Sequence, residues 1–595
     1  MFKAFGKKEA KEDLREKYSY EALKSYVSDD LEHLRKYELD DKREDYRRKS
    51  LIKTSKNCGK GDLGAKLSMK DHILNLITKY GINENTIDYA ISFKSPKTAE
   101  IKFYIILFQY KKSFKYKALG AIIKKYNLDE FRELDDEMVC VITEDDINKI
   151  YEYENVYITF EDKLEILVQL LYQDTKGLGV IDEIRDHFCD GLSLGVSGVP
   201  YDFVGKLSEM ELRNDDFDVS KFKLSYESIW LYFEGKEIYL EFLSFGSQKE
   251  LERVCRLMYH YKDAPQLTRR DGYGFNHMAD LSRIAVFRPP FSEGWCAFIR
   301  KFDVDADLNT LISGENSDII IELLDLIAKA KVKLAITGPQ GTGKTTLLVA
   351  YIKKMYQNIT LRVWEDYFES FLRLKMPRRN IMTIKKTGSI NGEKGLDAMK
   401  KSNGQATIIS EVAEDEVIRY IVKIALAASE TVLYTNHSNT PEDLPQYLVT
   451  GAVNAGAFTN EDKALDEVLK TLGMDAHLYK STEGERCIER LVEYVVEDTD
   501  DSFDILEIDK IKKLSTTEQK LDILLSLMTK MSITKSNTKK YSAVDIIHYD
   551  FENKKYVVVN KLSEKRKKEI MKNLLKKDGE RFIQLVNKME AQIAE

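Results

Sequence analysis

One eight-residue run, Gly338-Pro339-Gln340-Gly341-Thr342-Gly343-Lys344-Thr345, restricts the fold of this chain more than any other stretch. It fits G-x-x-x-x-G-K-[ST], with an extra glycine inside the loop. Upstream, Lys333-Leu334-Ala335-Ile336-Thr337 is apolar and β-prone. Downstream, Thr345-Thr346-Leu347-Leu348-Val349-Ala350-Tyr351 opens a helical pattern. Strand, glycine turn and helix in that order make a phosphate-binding loop. A polyphosphate needs backbone N–H groups aimed inward, and small residues let the chain curl that tightly. The helix N-terminus adds partial positive charge. Gly338, Gln340, Gly341, Thr342, Gly343 and Thr346 are the candidate cradle. Lys344 would neutralise the β- and γ-phosphates, and the Thr345 hydroxyl would hold Mg²⁺. The expected ligands are ATP and Mg²⁺.

With 595 residues the chain exceeds one core, and three or more domains are expected. It carries 92 basic and 99 acidic side chains, for a net charge of −7. The signs are interspersed, so a general nucleic-acid coat is not indicated. The longest apolar runs, such as Phe103–Phe108, fall short of a membrane span, and the first residues lack the apolar stretch of a signal peptide. A cytoplasmic location is expected. Six cysteines are scattered without a C-x-x-C pair, which leaves no ligand set for structural zinc.

Along the chain, residues 1–66 are charge-dense and read as surface helices or a flexible arm. Residues 67–160 read as a small α+β appendage. It holds a helix at Ser68–Lys79, capped by Ser68 and stopped by Gly81, a second helix at Ala118–Tyr126, and strand-like runs at Glu100–Tyr110, Met138–Thr143 and Asn155–Phe160. Residues 161–308 read as a compact unit. It has helices at Asp162–Tyr172 and Ser247–Tyr259 and a hairpin around Glu234-Gly235, with strands at Leu281–Phe287 and Trp295–Phe302. From 309 to 500, after a helix at Asp318–Lys331 capped by Ser317, apolar strands at 332–337, 360–364, 405–410 and 430–435 alternate with helices. That alternation predicts a parallel doubly wound α/β sheet. Residues 501–595 read as mainly helical, with a late hairpin at Val544–Tyr549 and Lys555–Asn560 and a basic helix at Ser563–Lys577.

A phosphate loop alone only binds. Turnover needs groups at the carboxyl ends of neighbouring strands, where open α/β sheets place ligands. Three such groups follow predicted strands: Glu365 after Thr360–Trp364, Glu411 after Ala406–Ile409, and His437 after Thr431–Thr435. A carboxylate there can order the Mg²⁺ shell or orient water, and an imidazole can hydrogen-bond a γ-phosphate. Singly, each is an ordinary strand ender. Their common spacing downstream of the loop makes them candidate catalytic residues.

These residues also carry a family resemblance. Gly177-Leu178-Gly179, Asp190-Gly191, Ile299-Arg300-Lys301-Phe302, the acidic Trp364-Glu365-Asp366, the Walker B end Ser410-Glu411, the box Thr435-Asn436-His437 with Asp443 and Leu448, and Gly484-Glu485-Arg486 stand in family order. Over 160–500, and more weakly over 540–590, the chain resembles the secretion ATPase superfamily of type II secretion, type IV pili and conjugative type IV secretion. The tight-adherence (Flp) pilus and conjugation branch is the most similar. The resemblance implies an N-terminal domain ahead of a RecA-like ATPase domain and a homo-hexameric ring. The subunit would work at the inner face of the cell membrane, with a membrane platform protein and possible peripheral membrane contact. It also implies that Glu411 polarises water, Glu365 assists, His437 senses the γ-phosphate, and Arg283 and Arg300 reach phosphates.

The chain departs from the family pattern at Ser410, where glycine is usual, and at Ala413, where arginine is usual. Lys385, Lys386, Lys400 and Lys401 stand where arginines are typical. A lysine holds phosphate with less geometry than a forked guanidinium. The expected function is an ATP hydrolase that drives pilus assembly or protein secretion. The alternatives are a conjugative DNA-transfer motor and a nucleotide-gated scaffold with little turnover.

Overall fold

A computed structural model describes residues 14–36, 42–93, 95–134, 137–213, 222–262, 264–302, 306–387, 392–427, 430–496 and 540–594, together with 521 and 525. The chain divides into two compact units, Met1–Asp303 and Val304–Glu595.

The first unit begins with helices, among them Tyr20–Lys36, Leu63–Tyr80 and Ala99–Phe114, followed by a hairpin of β1 (Arg132–Leu134) and β2 (Glu137–Val139). A seven-stranded sheet then forms from β3 (Val141–Ile142), β4 (Gly191–Leu194), β5 (Ile229–Phe233), β6 (Lys236–Leu240), β7 (Tyr273–His277), β8 (Arg283–Phe287) and β9 (Cys296–Arg300). Its order is β3-β6-β5-β4-β9-β8-β7. Every ladder is antiparallel except β3–β6. The expected hairpin is present: Glu234 and Gly235 both take positive φ, at 48° and 84°, as a two-residue turn with native twist requires. β5 buries alternate residues, the signature of a sheet with one covered face.

Three local expectations fail in this unit. Glu100–Tyr110 is a helix, Ala99–Phe114, started by Thr98, whose side chain accepts from the Ile101 amide. Phe103 to Leu107 are all buried, and a run apolar on every side shows no period to distinguish helix from strand. Residues 155–159 form no strand. Thr159 and Asp162 there form a capping box for the helix Phe160–Thr175. The helix assigned to Ser68–Lys79 starts earlier, at Leu63, because Asp62 and not Ser68 caps it, while Gly81 ends it as expected, at φ 108°.

The second unit is built on nine strands: β10 (Leu334–Thr337), β11 (Leu361–Glu365), β12 (Ile381–Lys385), β13 (Ala406–Ile409), β14 (Thr431–Thr435), β15 (Met474–Lys480), β16 (Arg486–Val496), β17 (Tyr541–Asp550) and β18 (Lys555–Val558). Their order is β12-β11-β13-β14-β10-β15-β16-β17-β18. From β12 to β15 the ladders are parallel. From β15 to β18 they are antiparallel, so the sheet is mixed rather than wholly parallel. Leu334 and Ile336 of β10 enter one apolar core with Leu323, Leu347 and Leu348. Ala335, between them, enters another with Ile418, Tyr434 and Leu448. Covered on both faces, β10 reads as a continuous apolar run.

The helix before β10 is Ser317–Lys329. Ser317 is its first residue rather than its cap, and the cap position belongs to Asn316, at φ 61°. The late hairpin exists as β17–β18, but it extends the main sheet instead of standing apart. The helical expectation for 501–539 lies outside the described residues, apart from Leu521 and Leu525. The basic segment forms the helix Glu564–Asn573, capped by Ser563, and a second helix, Lys576–Ala594. Arg566 is buried and donates to the Gly473 carbonyl, and Lys567 pairs with Glu564 and Glu590, so part of the basic charge is spent inside the fold. No described helix is long and apolar enough to cross a membrane.

Candidate nucleotide-binding site

Parallel strands end at a common edge, and register decides which tips meet there. Ile336 of β10 lies beside Thr435 of β14, and Tyr434 lies beside Ile409 of β13. Trp364 of β11 pairs with the same Ile409. Two residues beyond each pairing stand Gly338, His437 and Glu411. Glu365 follows Trp364 directly. The sheet therefore delivers the loop, the imidazole and two carboxylates to one edge.

The loop is held by close contact and by backbone sign. A Cβ on Gly338 would sit 2.4 Å from the Leu478 carbonyl oxygen on β15, so only glycine lets the loop leave β10 at that point. Gly343, at φ 95°, turns the chain into the helix Lys344–Lys354. A Cβ at Gly341 or Gly343 would meet nothing within 4 Å, so the cradle side of the loop is open. Thr342 Oγ1 donates to the Pro339 carbonyl across the turn, at 2.9 Å. Thr345 and Thr346 follow Lys344 in the first helical turn, half-buried, and Gln340 is exposed at the loop tip.

Lys344 is buried, and its ammonium donates to the carbonyls of Gly338 and Pro339, each at 2.8 Å, and to His437 Nδ1 at 3.1 Å. His437 Nε2 in turn lies 3.1 Å from Glu411 Oε1. Lysine can only donate, so Nδ1 accepts and the ring proton sits on Nε2, directed at the carboxylate. Three residues from three segments thus form one hydrogen-bonded line, Lys344–His437–Glu411. Asn436 fixes the loop that carries the histidine: its Nδ2 donates to the Val412 carbonyl at 2.8 Å, and its Oδ1 accepts from the Ser438 amide at 2.8 Å.

Glu365 behaves differently. It is buried, and its Oε1 accepts from the amides of Ser370 and Glu369, at 2.9 and 3.3 Å. Burial raises its pKa, and the Ser370 amide opposes that. Among the described residues its Oε2, also buried, has no hydrogen-bond partner. Among the described residues no hydrogen bond joins it to Lys344, His437 or Glu411. Ser410, where glycine was expected, donates through Oγ to the Trp364 carbonyl at 3.0 Å and so ties β13 to β11. Lys386, one of the lysines standing for an arginine, pairs with Glu414 at 2.6 Å.

Arg283 and Arg300 belong to the first unit. They face each other across the β8–β9 ladder, and Arg283 lies over the Phe275 ring at 5.6 Å. Asp190 accepts from the Gly235 amide, and Gly191 allows β4 to pass within reach of the Ile299 carbonyl, so this pair of family positions holds the sheet together.

Sequence reasoning missed a polar group directly beneath the loop. Thr337, the last residue of β10, lies with its Oγ1 2.9 Å from both carboxyl oxygens of Asp475 and 2.8 Å from His477 Nδ1. Tyr494 contacts the same carboxyl at 3.1 Å and the Pro441 carbonyl at 2.7 Å. A polar residue at every second position of β15 would have been the only sequence signal.

Residues 279–472 match the family described as Type II/IV secretion system protein. No curated protein matches the chain. Among solved structures it is similar to the VirB11 ATPase of the Brucella suis type IV secretion system at 13% identity, over 45% of this chain and 86% of that one, with a TM-score of 0.26. It is similar to the Legionella pneumophila ATPase DotB at 16% identity, over 56% and 82%, with a TM-score of 0.36. The pilus retraction motor PilT matches at 16% identity, over 51% and 87%, with a TM-score of 0.34. The chain therefore carries, across residues 279–472, a domain of the type II/IV secretion system protein family.

Proposed function

We propose that the chain is a secretion-type ATPase, which couples hydrolysis of Mg-ATP to work at a membrane-embedded pilus or protein-secretion machine. The observation that carries this reading is the line Lys344–His437–Glu411 at the open edge of the cradle. The loop fits a polyphosphate: it opens on a helix N-terminus, its face at Gly341 and Gly343 is open, and an ammonium stands on the first helical turn. Thr345 would hold Mg²⁺, which when bound would neutralise charge on the transferring phosphate. On this reading 161–308 is the family's N-terminal domain and 309–500 its RecA-like ATPase domain. Arg283 and Arg300 are assigned to phosphate contact in a cytoplasmic, membrane-peripheral homo-hexamer.

The residues supply the following chemistry. Lys344 exchanges the neutral carbonyls of Gly338 and Pro339 for charged phosphate oxygens, which make stronger hydrogen bonds. That exchange frees His437 Nδ1, an acceptor while Nε2 keeps the proton, to accept from a water that in turn donates to the γ-phosphate. Glu411, nearly half exposed at the end of the line, accepts a proton from water, while the His437 Nε2–H keeps it oriented. Loss of the γ-phosphate lets Lys344 return to its own loop, and the loop geometry changes with it.

Steady-state phosphate release tests the reading. Lys344→Ala should fall to background, because the phosphate charge loses its partner. Release equal to that of the unaltered protein would refute the assignment. A nucleotide-gated scaffold is the second reading, favoured by Glu411 being committed to His437 and by Ser410 standing in the Walker B turn. It calls for nucleotide binding without measurable release. A DNA-transfer motor shares the same site and differs in cargo.

A further inference from the structure

Three helices of the first unit, Leu63–Tyr80, Ala99–Phe114 and Phe160–Thr175, enclose a cavity of about 280 Å³ together with the segment Asp182–Asp186. Steps of three and four residues put Leu107, Phe108 and Lys111 on one face of the second helix, and Ile166, Gln169 and Leu170 on one face of the third. Leu107, Ile166 and Leu170 are buried and give the cavity an apolar side.

Most polar groups around it are already satisfied. Lys111 pairs with Glu183, and Lys112 with Asp162 at 2.7 Å. Tyr104 donates to the Val180 carbonyl at 2.7 Å and accepts from Gln173 at 3.2 Å. Glu165 is exposed to water. Two groups are left over. The first is the Gln169 carbonyl. Gln169 is only 7% exposed, and its Nε2 spends its hydrogens on Asp182 Oδ1 at 3.1 Å and Gln173 Oε1 at 3.5 Å. Its Oε1 is enclosed and has no hydrogen-bond partner among the described residues. Asp182 is paired with Lys66 and can only accept, so the amide cannot stand the other way round. The second is Lys70. Among the described residues its ammonium has neither a hydrogen bond nor an ion pair, because Lys66 and Lys111 take the two oxygens of Glu183. Burial lowers the Lys70 pKa; Glu183 resists this, and Lys66 and Lys111 act with burial.

We propose that this cavity binds a small amphipathic carboxylic acid that also bears a hydroxyl or amide donor. Its carboxylate sits on Lys70, its donor on Gln169 Oε1, and its apolar body against Leu107, Phe108, Ile166 and Leu170. A carboxylate is the acceptor an ammonium holds best, since the bond is charge-assisted. An acceptor shut away from water is costly to leave unmade, so the Gln169 carbonyl selects for a donor on the same ligand. A cationic ligand would face Lys70 and find Glu183 and Asp162 already taken. Size sets the remaining limit: an apolar cavity of about 150 Å³ holds benzene, so this one holds a single ring or short chain with two polar arms. The site lies within the first unit and stands independently of the nucleotide reading.

Calorimetry on the full-length chain tests this with three matched probes. 4-Hydroxyphenylacetate has the ring, the carboxylate and a donor; phenylacetate lacks the donor; tyramine keeps ring and donor but carries an ammonium. 4-Hydroxyphenylacetate should bind with a Kd below about 1 mM, phenylacetate roughly three- to tenfold more weakly, and tyramine not measurably. Lys70→Met should weaken 4-hydroxyphenylacetate at least about tenfold. Gln169→Leu should erase the preference for the hydroxyl, so that both acids bind within about twofold of each other, which a merely structural role would not produce. No binding of 4-hydroxyphenylacetate at millimolar concentration, equal binding of tyramine, or binding untouched by either substitution overturns the proposal. If the variants do not fold, acetylation of the unaltered chain serves. 4-Hydroxyphenylacetate should slow labelling of Lys70 several-fold, read by peptide mass, while Lys79, exposed further along the same helix, keeps its rate. An unprotected Lys70 overturns the proposal equally.

Discussion

Glu411 accepts from the His437 ring and is nearly half exposed, so it can hold its place and still meet water. Glutamine keeps the acceptor oxygen and loses the charge and the basicity. Glu411→Gln should therefore bind ATP within about threefold of the unaltered protein while phosphate release falls roughly a hundredfold or more. Nucleotide-affinity and phosphate-release measurements on the same preparation separate the two, and a parallel loss of affinity would make Glu411 structural. Lys344, Glu411 and His437 were legible in sequence because a loop motif and strand-end positions mark them without any knowledge of packing. Glu365 was legible as a strand end, but its turn back onto the Ser370 amide was not, since that depends on the conformation of the next five residues. Asp475 and His477 were not legible at all. A polar residue inside a strand reads as solvent-facing until the pairing of β15 with β10 shows it enclosed.

The helix Leu63–Tyr80 is pinned to the segment Asp182–Asp186 by one side chain. Lys66 donates to Asp182 at 2.5 Å, Glu183 at 3.0 Å and Asp186 at 2.7 Å, with all four groups largely buried. Burial alone would lower the Lys66 pKa, but Asp182, Asp186 and Glu183 outweigh it and raise it. Burial likewise would raise Glu183, but Lys66, Lys111 and Lys70 hold it well below the usual carboxylate range. A depressed carboxylate adds stability that is present above its unfolded-state pKa and lost as pH falls through its folded value, so this contact should fail in acid. Lys66→Met removes the cation shared by three buried carboxylates, leaving Glu183 with Lys111 and Asp186 with Arg185, and a loss of roughly 3–5 kcal/mol is expected. Hydrogen exchange should quicken first in Leu63–Tyr80, with ATP affinity in the second unit unchanged. Equal protection in both proteins would show that the ammonium is dispensable. Elements with a clean period or a clear cap, such as Gln248–Tyr259 after Ser247, were readable in advance. Ala99–Phe114 was not, because burial on all sides erases the period. β15 and β16 were not, because charged residues interrupt them.

At the scale of the whole molecule, the chain sets its candidate arginines and its phosphate loop on different compact units. Arg283 and Arg300 sit side by side on a sheet face that also carries the exposed rings of Tyr273 and Phe298. A surface of arginine and aromatic side chains is what a protein–protein contact uses, since both types bury large area at low entropic cost. If the motor reading holds, that contact is with another copy of the chain, and it tightens when nucleotide charge becomes available to the guanidinium groups. The 68.8-kDa chain should then shift toward six-subunit particles when ATP and Mg²⁺ are added, as counted by mass photometry at fixed protein concentration. Arg300→Ala should weaken that shift while leaving ATP affinity at low protein concentration within about twofold, because an exposed guanidinium contributes little to the fold it stands on. A chain that stays single with and without ATP, in both proteins, removes the ring and leaves the nucleotide-gated scaffold as the better account of the same site.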